Sequence, residues 1–199
     1  MSALPAETVR ERLLRAAAEL FYDEGLTATG IDAITQRAGV AKQSLYNNFA
    51  SKADLVAAYI EARHAEWLGL YGAREVQVAA QDNAGKILAV FDAYGDHAAF
   101  AYARGFRGCG LLNAAAELPA GHEGRAAVRR HKEEVDAILT SHLARLLPDQ
   151  PEEVKVLTAH LSFLLEGAMV RAGLEGSGAR VQEARAIAQA LLQGRSHDI

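Results

Sequence analysis

Cysteine is nearly missing from this chain: Cys109 is the only one among 199 residues. A lone thiol excludes an internal disulfide framework and suits a reducing compartment. Proline is sparse, with four residues, and aromatic side chains make up only 7%. So few chain breakers amid abundant alanine argue for helices and against a β-sandwich. Neither sign of charge dominates, since 21 basic against 25 acidic residues leave a net charge of −4. No global basic field advertises nucleic acid or a membrane surface, so such a partner must be met through a local patch. No uninterrupted apolar run reaches membrane length, and the opening MSALPAETVRER has no apolar signal region. The expectation is a soluble, cytoplasmic protein without a membrane partner. Apolar residues make up 50% and charged ones 23%, enough for a sizeable core.

Apolar residues recur at helical spacing almost throughout, and no run alternates strictly as a half-buried strand would. The fold class expected is all-α, with about nine helices. The first runs from about Thr8 to Asp23 and stops at Gly25. Two short helices follow, at about Gly30–Ala38 and Lys42–Asn48. Ser51, with Asp54 three residues on, opens a long helix reaching about Gly72. Further helices are expected at Asn83–Tyr94, His97–Arg104 and Leu111–Leu118. Three long ones follow, at His122–Leu147, Glu152–Leu174 and Ala179–Gln193.

The informative stretch is Thr29 to Asp54. It reads as a short helix, a tight turn at Gly39, and a second short helix. Ile34, Ala38, Val40, Leu45 and Phe49 fall where two steeply crossed helices need apolar inner faces, with a small residue before the turn. Thr29 and Asp32 suit an N-cap pair for the first of them. Between Arg37 and Lys52 there are three basic residues and no acidic one, against an overall negative chain. The second helix carries Lys42, Gln43, Ser44, Tyr46 and Asn47, which can meet base edges and phosphates of double-stranded DNA. Gln43 can pair bidentately with adenine, and Lys42 can donate to guanine.

Gly25, Thr29, Ile31, Ile34, Ala38-Gly39-Val40, Leu45-Tyr46, Phe49, Lys52 and Leu55 together resemble the N-terminal domain of TetR-family transcriptional regulators. The likeness covers about residues 8 to 60. Two positions depart from it: Thr35 stands where the family has alanine, and Ala41 where a serine caps the recognition helix. The resemblance implies that Thr29, Tyr46 and Lys52 contact the DNA backbone, while Lys42, Gln43, Ser44 and Asn47 face the bases. It also implies residues 1–50 as a helix-turn-helix DNA-binding domain and 51–199 as a helical effector-binding and dimerisation domain.

The last two long helices have apolar stripes too broad for one partner. The resemblance implies that they form a four-helix bundle with a second copy, which makes Leu157, Leu161, Leu165, Ile187, Ala188 and Leu191 expected dimer residues. The middle helices would then enclose a small, largely apolar effector. Trp67, Tyr71, Phe91, Tyr94 and Phe106 are its aromatic candidates. Cys109, Asn113, Glu117, His131 and Glu166 are the polar ones. Without a second cysteine to resolve an oxidised form, Cys109 reads as a small buried hydrophobe rather than a sensor thiol.

Enzyme readings fail on spacing. His122-Glu123 starts like H-E-x-x-H, but Ala126 stands where the second histidine belongs. Gly105, Gly108 and Gly110 are in the wrong order for a dinucleotide fingerprint, and no G-x-S-x-G occurs. No catalytic residue, metal or cofactor is expected. The sequence points to a homodimeric repressor that leaves a palindromic operator when its effector binds. Two rivals stand beside it: a constitutive DNA- or partner-binding helical protein without a pocket, and an all-α small-molecule enzyme.

Overall fold

The computed structural model describes residues 7–100 and 104–194. Among them the chain forms helices and no strand. They are α1 (Val9–Glu24), α2 (Ile31–Ala38), α3 (Lys42–Asn48), α4 (Lys52–Glu75), α5 (Asn83–Ala98), α6 (Gly110–Ala116), α7 (Glu123–Leu146), α8 (Pro151–Glu175) and α9 (Ala179–Gln193). The all-α expectation therefore holds. The separate helix expected at His97–Arg104 does not appear as such: α5 runs on through His97 to Ala98, and residues 101–103 lie outside those described.

Local chemistry explains several of the ends. Thr8 caps α1 through a reciprocal box, its hydroxyl accepting from the Glu11 amide at 3.2 Å while Glu11 accepts from the Thr8 amide at 2.8 Å. Pro151 occupies the first turn of α8, where a missing N–H does no harm. Ser51 accepts from the Asp54 amide at 3.1 Å, and Asp54 accepts from the Ala50 amide at 3.1 Å. That is the start the S-x-x-D spacing anticipated for α4.

The contacts fall into two compact units. The first holds the chain up to Arg63 together with Gly110–Val128, so α1, α2, α3, α6 and the N-terminal part of α4 share one core. Its centre is built from Leu13, Ala17, Ile34, Leu45, Phe49 and Leu55, all essentially inaccessible. The second unit holds His64–Cys109 and the chain from Arg129 onward. There α5, α8 and α9 pack together, with Ile87, Phe91, Leu157, Leu161, Leu165 and Ala188 inside. Arg185 on α9 ties to Asp92 on α5 at 2.6 Å.

One crossing in the second unit has no room for a side chain. A Cβ on Gly173 of α8 would lie 2.7 Å from the amide nitrogen of Gly108 and 2.8 Å from the carbonyl carbon of Arg107. Both obstacles are backbone, so no rotamer change relieves them. Gly173→Ala is expected to destabilise the protein by about 1–3 kcal/mol. Urea unfolding followed by circular dichroism measures this, and an unchanged midpoint would contradict so close an approach.

Candidate nucleic-acid interface and ligand core

The turn between α2 and α3 sets the direction of the second helix. Gly39 adopts φ +63°, ψ +40°, a left-handed conformation in which any Cβ is strained. The Val40 amide then donates to the Thr35 carbonyl at 3.0 Å, which closes the end of α2. Arg12 on α1 clamps the turn from outside: its Nη2 donates to the carbonyls of Ala38 at 2.6 Å and Gly39 at 2.7 Å. Leu45, fully buried, seats α3 on α1 and α2. With that side anchored, Lys42, Gln43, Tyr46 and Asn47 are left in solvent on the other.

Within this face Gln43 Nε2 donates to Asn47 Oδ1 at 3.1 Å, pairing the two side chains with the richest base-reading chemistry. Lys42 reaches back to Asp32 at 2.9 Å, and Asp32 holds its ammonium above the ordinary lysine value. The pair is exposed on both sides, so it is weak enough to exchange for a phosphate. Thr29 and Asp32 were expected to form an N-cap pair for α2. The N-cap is instead Gly30 with no side-chain hydrogen bond, which leaves Asp32 to steer Lys42. Ala41 likewise provides no side-chain cap for α3.

Two of the expected backbone-contacting residues are engaged inside the fold. Thr29 is 1% exposed, and its hydroxyl donates to the Gly25 carbonyl at 2.7 Å, with the Leu20 carbonyl at 3.2 Å. Its side chain holds the loop after α1 and is not offered to a phosphate. Lys52 Nζ donates to the Leu26 carbonyl at 2.6 Å and is half-buried. Ser44 is half-covered, whereas its neighbours Gln43 and Tyr46 are open.

The effector candidates divide between the units. Asn113 and Glu117 lie in the first. Glu117 accepts from the amides of Leu26 at 2.9 Å and Thr27 at 2.8 Å. Burial alone would push its pKa up, but those two N–H groups outweigh it and hold the carboxyl below the usual glutamate value. Glu117 thus anchors the loop after α1. The other eight lie in the second unit. Trp67 stacks on Tyr71 at 5.8 Å and packs against Tyr94 at 5.3 Å and His131 edge-on at 5.4 Å. Tyr71 Oη bonds His142 Nε2 at 3.0 Å, and Phe91, Phe106 and Cys109 are buried.

Sequence reasoning named Glu166 but missed its partner. Lys132 Nζ meets Glu166 Oε1 at 2.7 Å, Tyr94 Oη at 3.2 Å and Cys109 Sγ at 3.8 Å. Desolvation alone would lower its pKa. The facing Cys109, Tyr94 and Glu166 more than reverse this, and the ammonium sits above the ordinary lysine value. Lys132 follows Val128 by four residues and precedes Val135 by three, and that register on the edge of an apolar stripe is the signal that could have exposed it.

The expected dimer residues also move. Leu157, Leu161 and Leu165 on α8 and Ala188 on α9 are buried in the single chain, where α5, α8 and α9 pack together, so they are not open to a second copy as expected. Ile187 is exposed and Leu191 half-exposed. A second stripe on α8 points outward instead: Val156, Phe163, Val170 and Leu174, the last 84% and Phe163 73% exposed. A groove of about 500 Å³ runs beside Phe163 between α7 and α8, walled by Thr140, Leu147, Pro148 and Val154, and none of the ten effector candidates lines it.

A helix-turn-helix whose second helix presents an open polar face is the architecture with which DNA-binding regulators enter the major groove. Residues 13–59 match the model for bacterial regulatory proteins of the tetR family. Over 93 residues, 47% of this chain, the sequence is 40% identical to the HTH-type transcriptional activator FasR of Mycolicibacterium smegmatis. The matched part spans 42% of that relative's length. A TetR-family transcriptional regulator from Streptomyces coelicolor superposes with a TM-score of 0.83 at 29% identity, over 94% of this chain and 95% of that one. The regulatory protein TetR from Rhodobacter sphaeroides shares the fold, with a TM-score of 0.77 at 23% identity over 92% and 98% of the two chains. Residues 13–59 thus carry the likeness to the tetR family, and the described fold is similar to that of TetR-family transcriptional regulators.

The polar interior of the second unit carries its own pH signature. His131 Nδ1 lies 2.8 Å from His64 Nδ1, so one ring must donate and the other accept. Burial first, then the charge of Lys132 and the His64 ring, push the His131 pKa down from 6.5 to about 3. The folded protein thus keeps this ring neutral, while the unfolded chain takes up its proton as pH falls through about 6.5. Stability is therefore intact above about pH 6.5 and declines below it. Wild type should lose more stability between pH 6.5 and 4 than His131→Gln, by up to about 1.4 kcal/mol per pH unit. Urea unfolding of both proteins at the two pH values checks this, and equal losses would contradict a neutral buried imidazole.

Proposed function

We propose that the protein is a homodimeric repressor that occupies a palindromic operator through α3 of each copy and releases it when a small effector binds the second unit. The observation that carries the reading is the exposed face of α3, with Lys42, Gln43, Tyr46 and Asn47 open and no acidic side chain among them. Two recognition helices are what a two-fold operator requires, and a second copy supplies the other. The outward stripe of α8, with Ile187 of α9, supports the pairing because exposed apolar side chains of this size call for a partner. The aromatic core around Trp67 supports the effector. α4 carries Lys52 at one end and Trp67 and Tyr71 toward the other, about 22–28 Å along the helix at 1.5 Å per residue. A ligand that displaces Trp67 therefore acts on the element that also bears Lys52. A helical regulator fold makes catalysis an unneeded reading, and the protein is assigned to the cytoplasm with its DNA.

Gln43→Ala should flatten the base preference at one position of each half-site by about 1–3 kcal/mol. Tyr46→Phe, which removes the exposed hydroxyl expected to meet the DNA backbone, should instead weaken operator and scrambled duplex alike, because a phosphate contact carries no sequence information. Fluorescence anisotropy on both duplexes at two salt concentrations checks the pair. An operator preference untouched by Gln43→Ala would show that another face of the unit meets the bases.

Assembly has its own test. Phe163→Glu with Leu174→Glu places charges on side chains that a single chain leaves in solvent, so the variant should keep its helicity. It should sediment as a monomer and lose at least tenfold in operator affinity. A wild-type monomer at micromolar concentration would contradict the dimer.

The likeness of nearly half the chain to the transcriptional activator FasR favours a second reading in which operator occupancy raises transcription. Transcription in vitro from an operator-bearing template separates the two. Repression lowers transcript yield as protein is added; activation raises it.

A further inference from the structure

Resting on the effector reading above, we propose that the effector is an uncharged molecule with both a hydrogen-bond acceptor and a hydrogen-bond donor on an apolar body, recognised by Trp67 and Glu166. Three buried side-chain atoms of the second unit have no hydrogen-bond partner: Asp136 Oδ1, on a residue that lines the groove beside Phe163, and, in the aromatic interior, Trp67 Nε1 and Glu166 Oε2, the two on which the proposal rests. Their chemistry is complementary. An indole N–H can only donate, and a carboxylate oxygen can only accept. Trp67 is 2% exposed, so bulk water does not reach its nitrogen. Both groups flank Tyr94: the Trp67 ring lies 5.3 Å from it, and Glu166 is joined to it through Lys132, whose Nζ sits 5.2 Å from the ring centre.

The charge of the ligand follows from Lys132. Its three N–H donors already have Glu166, Tyr94 and Cys109, so no cationic donor is left over for an acid. An anionic ligand would in addition face the free lobe of Glu166, and a cationic one would crowd Lys132. Burying either charge unpaired is heavily disfavoured. Beside these groups Tyr71 stacks on Trp67 at 5.8 Å, and Tyr94 lies between Trp67 and Lys132, aromatic faces that suit an apolar body. An aromatic amide is the simplest molecule of this kind, its carbonyl accepting from Trp67 and its N–H donating to Glu166.

Three probes of one size separate the possibilities on the full chain: 2-naphthamide, 2-naphthoate and methyl 2-naphthyl ketone. Equilibrium dialysis should show the amide binding at least tenfold more tightly than the acid or the ketone. Trp67→Phe keeps the ring and removes the N–H. Glu166→Gln keeps an oxygen for Lys132 and turns N–H groups toward the ligand's donor. Each should weaken the amide at least tenfold while thermal melting without probe confirms the fold. Equal or tighter binding of the naphthoate would overturn the proposal. So would no binding of the amide, with water alone filling the two positions, or an amide affinity unmoved by both substitutions. Operator release is read separately by anisotropy. Amide binding without release would contradict the effector reading and leave the ligand chemistry standing, whereas release by the acid alone would do the reverse.

Discussion

The left-handed turn at Gly39 is the constraint on which the DNA-binding unit rests. A residue at φ +63° fixes where α3 goes, and Arg12 ties the carbonyls on either side of that bend to α1. Nothing about the exposed chemistry of α3 matters unless the helix is held at that angle. Seven residues make a helix too short to persist alone, and Ala41 gives it no side-chain cap. Its order therefore comes from tertiary packing, through Leu45 inside and the Arg12 clamp at the turn. The polar residues that would weaken a buried helix are gathered on the side that packing leaves open.

The second unit solves a different problem. It encloses a largely covered ion pair, a tyrosine, a thiol and three buried histidines, an arrangement that packing alone does not favour over an apolar filling. Most of these groups satisfy one another: Lys132 with Glu166, Tyr94 and Cys109; His64 with His131; Tyr71 with His142. The exceptions carry the information. Beside Tyr94 one donor, Trp67 Nε1, and one acceptor, Glu166 Oε2, are left over, and a group that satisfied both would need the complementary chemistry.

Much of the architecture was legible in the sequence because it follows from periodicity and punctuation. Gly25, Gly39 and Pro151 mark helix ends where the spacing placed them, and Ile34, Ala38, Leu45 and Phe49 are buried as the crossed-helix pattern required. What could not be read was the choice between two apolar faces of one helix. α8 has an inner stripe at Leu157, Leu161 and Leu165 and an outer one at Val156, Phe163, Val170 and Leu174, and hydropathy alone cannot rank them. Long-range polar contacts were equally hidden. Arg12 lies 26 residues from Ala38, and Glu117 lies 91 from Leu26, so no local pattern announces either bond. Thr29 was misplaced for a related reason, since a hydroxyl that closes a loop and one that meets a phosphate look alike in sequence.

The central claim is that two copies of α3, held by the Gly39 turn, read a two-fold DNA site. Selection of binding sequences from a random duplex library by the full-length protein tests this most directly, because it presupposes no operator. An inverted repeat should emerge, with half-sites centred one helical turn, about 10–10.5 base pairs, or a multiple of it apart. Enrichment of an isolated half-site, or no enrichment above the starting library, would contradict it.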